Sequence, residues 1–237
     1  MKRAPGRIPP PCSREAAMQI ELAAADGHRL SAWRDGPEEA SRALVVVQEI
    51  FGVNRHMRHV CEGFARRGYA VIAPALFDRA EPGVELGYTP DEVKLGQALR
   101  ARIDPADTLL DIEAAAAALP MAARRGIIGY CWGGTVAWHG ATRSQSFAAA
   151  VGYYGGGIAA AREEVPNCPV QLHFGETDHG IPMDDVAAIR AARPEVEIHT
   201  YPGAGHGFAC EERAAYDAAA DALALRRSLD FLARALG

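Results

Sequence analysis

A chain of 237 residues, 49% hydrophobic and 23% charged, is long enough to bury a sizeable core and has the composition of an ordinary globular protein. A net charge of −5, with no lysine or arginine stripe interleaved with aromatics, argues against a nucleic-acid groove, and no apolar run approaches the length of a membrane span. The five cysteines (12, 61, 131, 168 and 210) are odd in number and form no C-x-x-C pair for zinc or dithiol redox work, which fits a reducing cytoplasm and a small-molecule partner.

The opening "MKRAPGRIPPPCSREA" is basic and proline-rich, without the roughly 7- to 15-residue apolar region of a secretory signal. Residues 1–16 are expected to form a loosely held arm ahead of a single domain over 17–237. Met18–Ala23 and Arg29–Trp33 flank the turn-former "DGH" and read as an antiparallel hairpin. Ala43–Gln48 ("ALVVVQ") then reads as a central strand, His56–Arg67 as a helix, Tyr69–Pro74 as a strand, and Pro90–Arg102 and Asp107–Leu119 as helices. Strand Gly126–Tyr130 leads into a helix over Thr135–Ala141. Strands Ala148–Tyr153 and Val170–Phe174, helix Asp184–Ala192, strand Val196–Tyr201 and a helical stretch from about Glu211 to Ala235 complete the chain. Such alternation predicts an α/β fold, a mostly parallel central sheet with helices on both faces, and its chemistry belongs in loops at the carboxyl ends of the strands.

One such loop holds "IIGYCWGGTVAW" (127–138), in which Gly129-Tyr130-Cys131-Trp132-Gly133 is the thiol version of the G-x-S-x-G nucleophile elbow. Free cysteine is also among the most buried residue types and often inert, so the motif by itself leaves both readings open. Asp178, in "VQLHFGETDHGIP", follows a strand and can orient an imidazole, although an Asx-turn is its plain structural role and Glu176, Asp184 and Asp185 compete. His206, one of eight histidines, lies between glycines in "YPGAGHGFACEE" just past the next strand. The chain order Cys131, Asp178, His206 is the nucleophile, acid, histidine order of α/β hydrolases, and it decides for catalysis. Upstream, Glu49 ends the apolar strand "VVVQE", where an unpartnered carboxylate would be costly, so a functional Glu49 is expected to face Cys131 or a cationic group, and a plain strand-end glutamate to point to water.

"QEIFGVN" (48–54), "GYAVIAPALF" (68–77), "GYCWGG" (129–134), "VGYYG" (151–155), "GETDHGIP" (175–182) and "YPGAGHGF" (201–208) together resemble the dienelactone hydrolase family, also called carboxymethylenebutenolidases. The resemblance runs from about residue 17 to the C-terminus. It implies an α/β-hydrolase fold, no metal or organic cofactor, a Cys131–His206–Asp178 triad, and Glu49 facing and regulating a resting thiol. It further implies an oxyanion hole of the Ile50 and Trp132 backbone N–H groups, and Phe51, Arg79 and Tyr153 at substrate-binding positions. The implied reaction is cleavage of a small lactone or activated ester by a monomer or homodimer. General carboxylesterase or thioesterase activity, or a silent binding or redox-sensing role, are the alternatives. Family members that cleave dienelactones pair the substrate carboxylate with arginines, one of them four residues after the histidine, where this chain has Cys210; Gly96 stands where they carry tryptophan. Neutral substrates are therefore expected unless Arg79, Lys94 or Arg100 reaches the substrate anion.

Overall fold

The computed structural model describes residues 17–237; the expected N-terminal arm, with Cys12, lies outside them. The apolar run "ALVVV" falls in β3 (Arg42–Val47), buried from Ala43 onward because parallel strands lie on either side of it: β4 (Ala70–Pro74) and β5 (Arg124–Tyr130). Beyond β4 come β2 (Arg29–Asp35) and β1 (Met18–Ala23), both antiparallel, the expected hairpin. Beyond β5 come β6 (Ala149–Tyr153), β7 (Val170–Gly175) and β8 (Glu197–Tyr201), all parallel. The order is β1-β2-β4-β3-β5-β6-β7-β8. Register places Val47 beside Gly129, Tyr130 beside Tyr153, and Gly175 beside Tyr201, so five strands end along one edge and deliver their loops to one place.

Among the described residues, six α-helices accompany the sheet. α1 (Arg55–Ala65) packs on β4, and α3 (Pro105–Ala117) packs against α4 (Trp132–Arg143), which lies over β5 and β6. α6 (Ala218–Leu236) crosses β5 to β7. Their starts follow from local chemistry. Asn54 and Asp104 cap α1 and α3, and Thr89 with Glu92 forms a reciprocal capping box at the head of α2 (Pro90–Arg100). α5 (Met183–Ala192) follows β7.

One expected boundary is corrected. The helix read from about Glu211 begins only at Ala218, because Asp217 is extended and its carboxylate accepts the N–H groups of Ala219 and Ala220. Asp217 N–H in turn donates to Phe208 O (3.0 Å), so residues 211–217 remain an irregular loop over the strand ends.

Arg79, expected in the substrate pocket, belongs to the scaffold instead. It ends a 3₁₀ turn (Leu76–Arg79) and forks onto Asp111 of α3, with Nε 2.9 Å from Oδ2 and Nη2 2.8 Å from Oδ1, while Nη1 lies 2.6 Å from Asp26. The Asp111 side chain is 0% exposed, so only a planar guanidinium answers both of its oxygens without leaving a buried charge unpaired. Removing one partner of such a pair costs about 3–5 kcal/mol, whereas replacing both by apolar groups often costs little. Arg79→Met is therefore expected to lose about that much in urea unfolding, and Arg79→Met/Asp111→Leu to recover most of it. A stable single variant with impaired substrate binding would return Arg79 to the pocket.

Candidate active site

β5 ends at Tyr130 and the chain turns into α4 through Cys131, whose φ of 55° and ψ of −116° are seldom adopted by a residue with a side chain. Cys131 N–H donates to Tyr153 O (3.0 Å) and Gly134 N–H to Cys131 O (3.0 Å), which hold the turn. The glycines are steric necessities. A Cβ on Gly129 would lie 1.9 Å from Gly133 O, and one on Gly133 would lie 2.3 Å from Val47 O. The turn thus exists only by close contact with the β3 end, and it aims the thiol away from the sheet.

The loops after β7 and β8 meet that thiol. His206 Nε2 is 3.2 Å from Cys131 Sγ, and His206 Nδ1 is 2.7 Å from Asp178 Oδ2; Asp178 Oδ1 accepts Gly180 N–H at 2.8 Å. The order of residues in the sequence is thus an ordered chain of contacts in space. Burial works against the charged imidazole, but the hydrogen bond to Asp178 and the contact with Cys131 outweigh it, and His206 is raised to about 10. The other described cysteines differ. Burial pushes the Cys61 thiol far up, and lifts Cys168 to about 11 and Cys210 to about 12, so none of the three is poised as a nucleophile.

Glu49 follows β3 and is buried, and of the two partners expected for it, the thiol or a cationic group, it has the cationic one. Arg213 Nη1 lies 3.2 Å from Glu49 Oε1, and its guanidinium sits over the Phe51 ring at 5.7 Å. Arg213 fits there because residue 207 is glycine: a Cβ on Gly207 would lie 2.5 Å from Arg213 Nη1. The thiol meanwhile is turned to His206, which differs from the resting arrangement expected.

These groups open onto a cleft of about 770 Å³ lined by Ile50, Phe51, Cys131, His206, Arg213 and Tyr216, among others, a size suited to a small organic ligand. Trp132 stands at the first position of α4, where a backbone N–H has no intrahelical acceptor. Tyr153 is not at the cleft. Its hydroxyl is 2.8 Å from Ser228 Oγ and its ring stacks on His173, beneath the sheet end. The next residue, Tyr154, takes φ 39° and brings its ring to 5.1 Å from His206. Lys94 is exposed and pairs with Asp91, and Arg100 lines a separate depression with Trp132 and His139. Neither lines the cleft. Gly96 lets α2 approach the Ile50 loop, since a Cβ there would lie 1.9 Å from Ile50 O. Sequence reasoning missed Arg213 and Tyr154. Asp217, a good N-cap directly before an alanine run, was the signal that residues 211–216 lie outside the helix.

A thiol on a strained strand-to-helix turn, met by a histidine and an aspartate from later strand ends of this sheet, defines the α/β-hydrolase class. Within it, the chain belongs to the dienelactone hydrolase family, whose model matches residues 30–236. It is 36% identical over 226 residues to the carboxymethylenebutenolidase of Pseudomonas putida, covering 90% of this chain and 95% of that one. A Synechocystis protein provisionally classed as a carboxymethylenebutenolidase is 39% identical over 200 residues, 76% of this chain and 81% of its own. A crystal structure from Klebsiella pneumoniae, provisionally classed as a dienelactone hydrolase, superposes with a TM-score of 0.79 at 30% identity, covering 92% of this chain and 99% of that one. No helix among the described residues is long and apolar enough to cross a membrane.

A group raised on folding, as His206 is, stabilises the fold fully below its ordinary value of about 6.5, and that contribution is lost as pH rises through about 10. The denaturation midpoints of wild type and His206→Gln are therefore expected to differ most below pH ~6.5 and to converge toward pH ~10. A gap that widens with pH would reverse the sign and refute the imidazolium.

Proposed function

We propose that this hydrolase cleaves a small lactone or activated ester through an acyl-thioester on Cys131. The observation that carries the reading is the unbroken line from Asp178 through His206 to a thiol held at the mouth of the cleft. With His206 protonated beside it, Cys131 attacks as thiolate on the carbonyl carbon. The backbone N–H groups of Trp132 and Ile50 receive the developing oxyanion. Collapse of the tetrahedral adduct breaks the C–O bond, and the alkoxide or enolate leaves, drawing its proton from His206. His206, now neutral and oriented by Asp178, takes a proton from water, which attacks the thioester; collapse of this second adduct breaks the C–S bond, the acid departs and gives its proton to solvent, and the thiolate returns beside protonated His206. Glu49, tied to Arg213 beside the oxyanion loop, tunes the thiol by its charge.

Arg213 changes the expectation of a neutral substrate. That expectation rested on Cys210 occupying the position of the family's arginine, yet a guanidinium reaches the same cleft from three residues further along. Arg213 is the one arginine or lysine among the described residues lining the cleft, and a substrate carboxylate beside it gains a charge-assisted contact. The proposed substrate is therefore an anionic lactone or ester.

Cys131→Ala is expected to lower turnover by roughly a thousandfold or more, and mass spectrometry with a slow ester should find the acyl group on Cys131; near-normal turnover by the variant would exclude the thioester. Arg213→Gln is expected to reduce kcat/KM for a carboxylated dienelactone relative to its methyl ester by about 10- to 150-fold, the equivalent of about 1.5–3 kcal/mol for a hydrogen bond to a charged group. An unchanged ratio would show that Arg213 serves Glu49 alone.

A further inference from the structure

Behind the cleft, Glu49, His56 of α1 and Cys210 of the loop after β8 are all buried, and their ligand atoms lie within 4.8 Å of one another, the one such grouping among the described residues. Two polar atoms of these residues are unanswered. Glu49 Oε1 is taken by Arg213, but Oε2 is buried without a hydrogen-bond partner. His56 Nδ1 lies 2.9 Å from Glu211 Oε2, while its Nε2 is buried without a partner. With Nδ1–H donating to Glu211, Nε2 presents a lone pair, and the carboxylate oxygen is a second unanswered acceptor in the same group of three residues. Two unanswered acceptors on neighbouring buried residues call for an electropositive species.

We propose that Glu49, His56 and Cys210 bind a divalent cation of the zinc class. The donor set is one nitrogen, one oxygen and one sulfur, the mixture that zinc accepts. The Glu211–His56 contact is the carboxylate–imidazole pair commonly found behind a metal-binding histidine, fixing the tautomer that ligates. On binding, the Cys210 S–H bond is exchanged for an S–metal bond and the proton leaves to solvent, with no change of oxidation state. Thiolate and carboxylate then neutralise the two positive charges, and Arg213 keeps its own oxygen of Glu49. Bonds of about 2.0–2.3 Å at tetrahedral angles require the ligand atoms to close from within 4.8 Å to roughly 3.3–3.6 Å, a contraction of up to about 1.2–1.5 Å. A cavity of about 370 Å³ lined by His56, Glu211, Tyr216 and Asp221 reaches the His56–Glu211 side of the cluster. Occupancy would hold Glu49 by both oxygens. The site is additional to the proposed reaction and does not depend on it.

The rival ligand pair is Cys131 with His206, so the test is made on the chelator-treated full chain in wild type, Cys131→Ala, His56→Gln and Cys210→Ser. Calorimetric titration with Zn²⁺ is expected to give one site per chain in Cys131→Ala, with affinity within about threefold of wild type. His56→Gln and Cys210→Ser should weaken it at least about tenfold, the loss expected even for disturbing a partner behind a ligand. Co²⁺ added to Cys131→Ala should show thiolate-to-metal absorption in the near ultraviolet that vanishes when Cys210→Ser is added, which establishes the ligand without reference to activity. Absence of saturable binding in Cys131→Ala, or binding indifferent to both His56→Gln and Cys210→Ser, overturns the proposal; in the first case a proton answers the two acceptors instead.

Discussion

The turn at Cys131 is the constraint on which the site depends. A residue with a side chain at φ 55° costs on the order of 1–3 kcal/mol, and it persists because its neighbours leave the backbone nowhere else to go. Gly129 is pressed against Gly133, and Gly133 against the carbonyl at the end of β3, while Cys131 N–H is tied to the end of β6. Three adjacent parallel strands, buried at their carboxyl ends, thus hold one strained residue. The geometry of the thiol is inherited from the least deformable part of the molecule, whereas Asp178 and His206 arrive on loops and have only to reach it.

Charge follows from burial in the same way. A carboxylate at the end of β3 cannot stay ionised among apolar residues without a counterion, and Arg213 supplies it at 3.2 Å. One guanidinium then faces two claims, Glu49 from behind and whatever anion enters the cleft from in front. With the anionic substrate proposed, an arriving carboxylate would compete for donors that now hold Glu49, which gives binding in the cleft a direct physical route to that buried carboxylate. Cys210 is free of that duty here, and its buried thiol faces Glu49 and His56 instead.

Most of the framework was legible because its signals are local. "ALVVV" could be buried on two faces only in a parallel sheet, and glycine spacing marked the elbow. What escaped depended on contacts between distant segments or on a single residue of phase. Arg213 disappeared into an alanine-rich stretch that looks helical, although Asp217 stops the helix short of it. Arg79 looked available because nothing in its own neighbourhood shows that Asp111, on a later helix, is buried and needs it. Tyr153 and Tyr154 differ by one position, and strand alternation sends neighbours to opposite sides; the break at Tyr154, with φ 39°, is not written in any residue's preference.

The orientation of the thiol bears on why cysteine serves at a position that most such folds give to serine. A hydroxyl must be deprotonated during attack, so its histidine has to be neutral beforehand. A thiol paired with an imidazole whose charged form is favoured, as His206 is, can exist as an ion pair before substrate arrives. That pair needs surroundings in which a second negative charge does not push against the thiolate. Glu49 is such a charge, and Arg213 quenches it through Oε1. Displacing Arg213 would raise the energy of a Cys131 thiolate, whereas a cation at Oε2 would lower it, so positive charge at either oxygen of that buried carboxylate acts on the thiol in the same direction.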